Sequence, residues 1–255
     1  MREGELTITL GLIGFGTIGR AIAHAVQQGT AGDARIAAVL IREPARYVAE
    51  SAVHPWKFTA DPVAFLAEPT DLVVEAAGHE AVRLYAARSL RAGKDFLTVS
   101  VGAFADDLLL SQVREAAIAS GRQVLIPSGA IGGLDAISAA AVGGLEEVTV
   151  TTRKPPGAWR GTVAEQQVDL AKLAGPTCLY AGTAREAAKL FPQNVNVQAA
   201  LGLAGIGLDQ TISRVFADPT VRYNTHEIVA RGHFGEIRVT ITNIPSEGSA
   251  RTGRI

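Results

Sequence analysis

Hydrophobic and polar positions in the first half of the chain fall into two kinds of block. Short apolar runs at Ile8–Ile13, Ile36–Ile41, Asp71–Glu75, Asp95–Ser100 and Gln123–Ile126 have the length and composition of strands buried on both faces. Between them, helical stretches are predicted over Ala21–Gln28, Glu80–Arg91 and Phe104–Ser120. The last carries Asp106 and Asp107 at its start, where a helix N-terminus favours negative charge, and Gly93-Lys94 closes the one before it. Alternating strands and helices predict an α/β fold with a parallel, doubly wound sheet, whose ligands gather beyond the C-terminal ends of the strands. Gly14–Gly19, Ala77-Gly78, Ser100-Val101-Gly102 and Pro127-Ser128-Gly129 occupy such ends.

From Ala130 the pattern changes. A glycine-punctuated helix, Ile131–Ala136, leads to a strand at Glu147–Arg153 and a polar stretch around Lys154-Pro155-Pro156-Gly157. Two helices follow, over Ala184–Phe191 and Val195–Gly205. Thr211–Ala217, Arg222–Arg231 and Gly235–Asn243 then alternate with period two, with turns at Asp218-Pro219 and Gly232, as half-buried antiparallel strands do. This predicts a second, mixed α/β domain over residues 130–243 after a first domain over residues 1–129, with residues 244–255 as a tail.

The glycine turn Gly14-Phe15-Gly16-Thr17-Ile18-Gly19 lies between the first strand and the first helix, the context of a Rossmann-type dinucleotide-binding turn. There Gly14 permits the turn, Gly16 lets the backbone approach a pyrophosphate, and Gly19 lets the helix lie against the strand. Ile18 belongs to the same turn and Ala77-Gly78 to the neighbouring strand end, so all six are cofactor-binding candidates. An acidic residue at the end of the second strand would select NAD; the chain has Ile41-Arg42-Glu43, and a guanidinium at Arg42 could face a 2′-phosphate. The cofactor is therefore read as NAD or NADP. The equally open alternative is that Arg42 is a solvated strand-end residue.

Composition narrows the class. At 255 residues, with 47% hydrophobic and 19% charged residues, the chain suits one large or two modest globular domains. A formal net charge of −1 argues against nucleic acid or an anionic membrane as main partner. The single cysteine, Cys178, excludes an internal disulfide, and Cys/His spacing for a metal is absent, so no metal site is expected. The chain opens Met1-Arg2-Glu3-Gly4-Glu5 and enters the first strand without a signal-like segment, and no apolar stretch is long enough to span a bilayer. A cytoplasmic location is the expectation.

Of the five histidines, His24 and His54 read as surface or packing residues, and His79, at a helix start, as a cap or loop support. His233 lies beside the Gly232 turn. His226 is the informative one: it enters a strand of the second domain within Asn224-Thr225-His226-Glu227-Ile228-Val229, and an imidazole there could exchange a proton with substrate. On residue type alone it remains a structural histidine or a catalytic one.

Several longer runs stand in order: Ile126-Pro127-Ser128-Gly129-Ala130-Ile131-Gly132-Gly133-Leu134-Asp135, Arg153-Lys154-Pro155-Pro156, Ala184-Arg185-Glu186-Ala187-Ala188-Lys189-Leu190-Phe191-Pro192, and Asn194-Val195-Asn196-Val197, followed by Asn224–Ile228. With them the chain closely resembles the L-aspartate dehydrogenases, from the first strand to about Glu247. The resemblance implies an NAD(P)-dependent oxidoreductase, and a homodimer, that interconverts L-aspartate with oxaloacetate and ammonia through iminoaspartate. Amino-acid metabolism and NAD biosynthesis are its implied setting. Carried over by motif, the family's active-site histidine falls on His226 and cofactor contacts on Ala130 and Asn196. A dicarboxylate also needs cationic or N–H donors; Arg153, Lys154 and Arg160 are candidates by type, with Asn224 and Thr225 beside the histidine.

The chain departs from the pattern after Ile244-Pro245-Ser246-Glu247. There the family continues with an Asn-Pro-Lys-Thr type motif and a helix, whereas this sequence reads Gly248-Ser249-Ala250-Arg251-Thr252-Gly253-Arg254-Ile255. Two alternatives stay open: a related dehydrogenase of another amino or hydroxy acid, since fold does not fix substrate, and a catalytically silent nucleotide-binding regulator, which the altered tail makes conceivable.

Overall fold

In the computed structural model, which describes residues 7–192, 196–246 and 249–253, the chain divides into two units, Met1–Pro127 and Ser128–Ile255. Asn194 and Val195 of the fourth motif, and the first residues of the chain, lie outside the described residues.

The first unit runs β1 (Ile8–Ile13), α1 (Thr17–Gln27), β2 (Ala34–Leu40), α2 (Val48–Val53), β3 (Lys57–Thr59), α3 (Pro62–Ala67), β4 (Leu72–Glu75), α4 (His79–Arg91), β5 (Asp95–Thr98), α5 (Asp107–Ser120) and β6 (Val124–Leu125). Its six strands are parallel, in the order β3-β2-β1-β4-β5-β6. This is the doubly wound Rossmann order, with the switch of direction between β1 and β4. Apolar side chains of β1, β2 and β4, Leu10, Leu12, Val39 and Val74 among them, form one buried cluster with Phe15 and Trp56.

The second unit runs α6 (Leu134–Val142), β7 (Leu145–Lys154), α7 (Ala164–Gln167), β8 (Thr177–Thr183), α8 (Ala184–Leu190), α9 (Asn196–Ala204), β9 (Ile212–Ala217), β10 (Asn224–Gly232), β11 (Gly235–Asn243), β12 (Pro245–Ser246) and β13 (Ser249–Gly253). Its five-stranded sheet has the order β11-β10-β7-β9-β8; only β7 and β9 are parallel. The tail segment forms the small antiparallel pair β12-β13.

Two helices begin three residues later than the sequence reading places them, each for a local reason. The helix placed from Phe104 begins at Asp107: Asp106 accepts hydrogen bonds from the Leu108 and Leu109 N–H groups, capping it, while Val101–Ala105 form a 3-10 turn. The helix placed at Ile131–Ala136 begins at Leu134 and runs to Val142, because Gly133 has φ +74° and cannot continue a right-handed turn. The segment between β2 and β4 went unread. Its strand β3 has three residues at the sheet edge, too few to show a period. Strand β8, also unread, is an edge strand with one buried residue, Leu179, and a register shift between Cys178 and Tyr180 that breaks alternation.

The unread segment matters to the glycine turn. Phe15, inside that turn, packs edge-on against Tyr47, Trp56 and Phe58 at 5.6, 6.2 and 5.2 Å. Arg20 of α1 lies over the Phe15 ring at 4.8 Å and pairs with Glu50 of α2 at 2.7 Å. The turn is thus anchored by residues 42–70 as well as by its own glycines.

Candidate active site

In the first unit, the ends of β1 and β4 come together at the switch point. Gly14 has φ +91°, and a Cβ there would lie 2.7 Å from the Ala77 Cβ and 2.9 Å from the Ala76 carbonyl oxygen. A Cβ on Gly19 would run into the Gly14 carbonyl, while around Gly16 there is open space. The N-cap of α1 is Gly16, without a side-chain cap, and the helix has no acidic residue in its first turn. Exposed backbone N–H groups, a positive dipole end and room beside Gly16 are what a pyrophosphate requires, so these residues fit a dinucleotide.

Glu75 is the unanticipated residue of this region. It is fully buried at the end of β4. Its Oε1 accepts from the Ala77 and Gly78 N–H groups at 2.6 and 2.7 Å and from Ser100 Oγ at 3.1 Å, and its Oε2 accepts from Thr98 Oγ1. The carboxylate therefore satisfies the turn that meets Gly14, and joins the ends of β4 and β5. Arg42 follows β2, is exposed, and makes no ion pair among the described residues.

In the second unit the sheet itself builds the site. On β7 every second residue is buried, from Val148 to Lys154, and on β10 the buried set is Asn224, His226, Ile228 and Ala230. At one end this face is apolar; at the other it carries Thr152, Lys154, Asn224 and His226. Register places His226 opposite Thr152 and Asn224 opposite Asn243 of β11. Thr152 Oγ1 lies 2.9 Å from His226 Nδ1, and Gln198 Nε2 of α9 donates to the same Oγ1 at 2.8 Å. Asn224 Oδ1 and both amide atoms of Asn243 are buried without a hydrogen-bond partner among the described residues. Such groups cost about 1–3 kcal/mol each when left unpaired, and here they leave donor and acceptor capacity for a polar ligand.

Burial sets the charges here. Desolvation lowers Lys154 to about 8, and its Nζ lies 5.7 Å from the Trp159 ring centre. Desolvation, followed by the charge of Lys154, lowers His226 to about 3, so the imidazole is neutral. The site thus pairs a buried cation with a neutral ring. The structure separates the two basic neighbours of the motif: Arg153 faces the other side of the sheet, where it lies over Phe216 at 4.6 Å and pairs with Asp218 at 3.4 Å. Thr225, opposite Arg153 in register, shares that other side. Arg153 and Thr225 therefore lie on the face of the sheet opposite His226, since successive strand residues point to opposite faces.

Ala130 is half-buried in the segment before α6, and Asn196 opens α9 two residues before Gln198. A cavity of about 560 Å³ is lined by the loop after β7, including Pro156, Arg160, Glu165 and Asp169. None of Thr152, Lys154 or His226 lines it, so the site is assigned from the polar cluster on the sheet. Among the described residues no group of His, Cys, Asp and Glu could hold a metal ion, and no helix is long and apolar enough to cross a membrane.

Residues 14–127 match the family model of the homoserine dehydrogenase NAD-binding domain, and residues 135–255 that of the aspartate dehydrogenase C-terminal domain. An L-aspartate dehydrogenase of Ralstonia pickettii is 42% identical over 246 residues, covering 96% of this chain and 91% of that protein. The chain belongs to the L-aspartate dehydrogenase family. The Methanocella arvoryzae member is 40% identical, over 95% of this chain and 90% of its own length. The crystal structure of Thermotoga maritima aspartate dehydrogenase superposes with a TM-score of 0.74 at 27% identity, covering 92% of this chain and 88% of that one. The residues of the candidate site that the sequence did not single out are Glu75, Thr152, Gln198 and Asn243. Period two on β7 pointed at Thr152 from Lys154, but nothing in sequence joined either to Gln198 or Asn243.

Proposed function

We propose that this chain catalyses the NAD(P)-dependent interconversion of L-aspartate with oxaloacetate and ammonia through iminoaspartate. The observation that carries the reading is the buried row Lys154, Asn224 and Asn243 beside a neutral His226, a combination suited to a small dicarboxylate that must also exchange protons. Gly14, Gly16, Ile18, Gly19, Ala77 and Gly78 hold the pyrophosphate in this reading, with Arg42 toward the ribose; Ala130 and Asn196 are further cofactor contacts, supported by the resemblance. Bound nicotinamide supplies the two-electron acceptor for oxidation of the aspartate Cα.

The chain's own residues supply the rest. Lys154 and the Asn243 amide bind carboxylate oxygens, and the orphaned Asn224 Oδ1 accepts from the substrate amine. A bound dicarboxylate offsets the Lys154 charge, which raises the basicity of His226 when substrate is present. His226 then takes a proton as the amine becomes an imine, and serves again as water adds to the imine carbon and ammonia leaves. A homodimer of the 26.6 kDa chain in the cytoplasm completes the reading, and light scattering gives its mass.

The direct test is turnover with L-aspartate, L-alanine and L-malate, each with NAD and NADP. Aspartate turnover is expected; turnover of alanine or malate without aspartate overturns the reading. Two variants sharpen it. Lys154→Gln is expected to raise the KM for aspartate roughly 10- to 100-fold, the worth of a hydrogen bond to a charged group at about 1.5–3 kcal/mol, with cofactor affinity unchanged. An unchanged KM removes Lys154 from substrate binding. Arg42→Asp is expected to shift the kcat/KM preference toward NAD, because a carboxylate repels a 2′-phosphate. If the NADP/NAD ratio does not move, Arg42 does not reach the ribose.

A further inference from the structure

We propose that Thr152 and Gln198 are positioning residues for His226: a hydroxyl held by a buried carboxamide lets the imidazole change protonation state without losing its hydrogen bond. The proposal rests on His226 being the proton-exchanging group. It starts from three side chains on three elements, Gln198 of α9, Thr152 of β7 and His226 of β10. Gln198 and Thr152 are fully buried and His226 is 3% exposed, so each must find its partner within the protein.

The kind of partner decides what the ring can do. A carboxylate or a backbone carbonyl at Nδ1 only accepts, which pins the ring proton there and, for a carboxylate, buries a second charge. A hydroxyl has one proton and two lone pairs. One lone pair of Thr152 Oγ1 receives the Gln198 Nε2–H at 2.8 Å, leaving a proton and a lone pair for His226 Nδ1 at 2.9 Å. With the hydroxyl donating, Nδ1 accepts and the ring proton sits on Nε2. With the hydroxyl turned, Nδ1–H donates to Oγ1 and Nε2 offers a lone pair or, once protonated, a second N–H. The reaction needs Nε2 to accept a proton at one step and release it at another, and one Thr152 oxygen serves both.

Gln198 shows the cost of the arrangement. Its Oε1 is buried with no partner among the described residues, while its Nε2 is engaged at Thr152. An orphaned acceptor is tolerated because the donor half of the amide holds the hydroxyl in place. The charged group facing His226 is Lys154 of β7; Gln198 of α9, Asn224 of β10 and Ile241 and Asn243 of β11 are uncharged. The hydroxyl therefore acts on tautomer and orientation, separately from the charge that Lys154 contributes.

Thr152→Val keeps the β-branched shape that suits a strand and removes only the hydroxyl. Its expected kcat for aspartate is about 10- to 100-fold lower, part of the 10²–10⁴-fold range of general acid–base catalysis, with aspartate KM and cofactor Kd nearly unchanged. Thr152→Ser should recover most of the loss. Gln198→Met, similar in length and unable to donate, should lower kcat by a smaller factor. Nitrogen-15 spectra of histidine-labelled protein, with the His226 signal assigned from His226→Ala, should show altered Nδ1/Nε2 tautomer populations in Thr152→Val and recovery in Thr152→Ser. Wild-type kcat and tautomer populations in Thr152→Val, with His226→Ala inactive, overturn the positioning role and leave His226 in place. Wild-type kcat in His226→Ala overturns the reading beneath it as well. If Thr152→Val does not fold, Gln198→Met decides: unchanged kcat and His226 spectrum overturn the proposal.

Discussion

Replacing His226 with alanine is expected to lower kcat for aspartate oxidation by about 10²- to 10⁴-fold, the range that general acid–base catalysis supplies. The imidazole is the titratable ring on the buried polar face, hydrogen-bonded through Nδ1 and held neutral by burial and by Lys154. In the mechanism proposed above, its loss removes the group that exchanges protons with the amine and with the attacking water, and leaves the glycine turn of the other unit untouched. Cofactor Kd, read by fluorescence titration, should therefore stay within a small factor of wild type, and the aspartate KM should change far less than kcat. A variant that keeps wild-type kcat removes His226 from the mechanism. One that loses cofactor binding in parallel makes the residue structural.

The same burial makes the protein sensitive to acid. His226 titrates near 6.5 in an unfolded chain and near 3 in the folded one, so between these values the unfolded state binds more protons. The stability that the neutral ring permits is complete above pH 6.5 and is lost progressively as pH falls toward 3. At about 1.4 kcal/mol per pKa unit the full loss is on the order of 5 kcal/mol, a large share of a typical domain's 5–15 kcal/mol. Lys154 works in the opposite window. Its folded value of about 8 lies below 10.5, so the cost of burying its charge is present below 8 and is relieved as pH rises toward 10.5. Urea unfolding of wild type and His226→Asn across the acid window checks the first effect. Wild type should lose more stability than the variant, and identical pH dependence in the two would show that burial of this ring is not what acid attacks.

Much of the first unit is written locally. Each strand from β1 to β6 except β3 is an apolar run between turn residues, and Gly14-Phe15-Gly16-Thr17-Ile18-Gly19 declares its conformation because no other residue fits at Gly14 or Gly19. The segment between β2 and β4 was illegible for the opposite reason. Trp56 and Phe58 are two apart, but a strand of three residues is too short to declare that period, and the common role of Tyr47, Trp56 and Phe58 exists only around Phe15.

For the second unit, the motif Asn224–Ile228 and its family resemblance singled out His226, and residue type alone offered Arg153 and Lys154 as equals. Period two along β7 makes them unequal: one side chain joins the buried face and the other reaches Asp218. Which face is buried, and what lies across from it, depends on the pairing of strands distant in sequence; Thr152 and His226 are 74 residues apart. Threonine in a strand and glutamine in an apolar helix carry no mark of their use, just as a glutamate ending β4 carries none of the turn it holds. Sequence by itself determined the alternation of elements, the glycine turn and the histidine. The tertiary structure decided the partners of that histidine, because hydrogen bonds act over about 3 Å and only strand register and helix packing bring such distant residues that close.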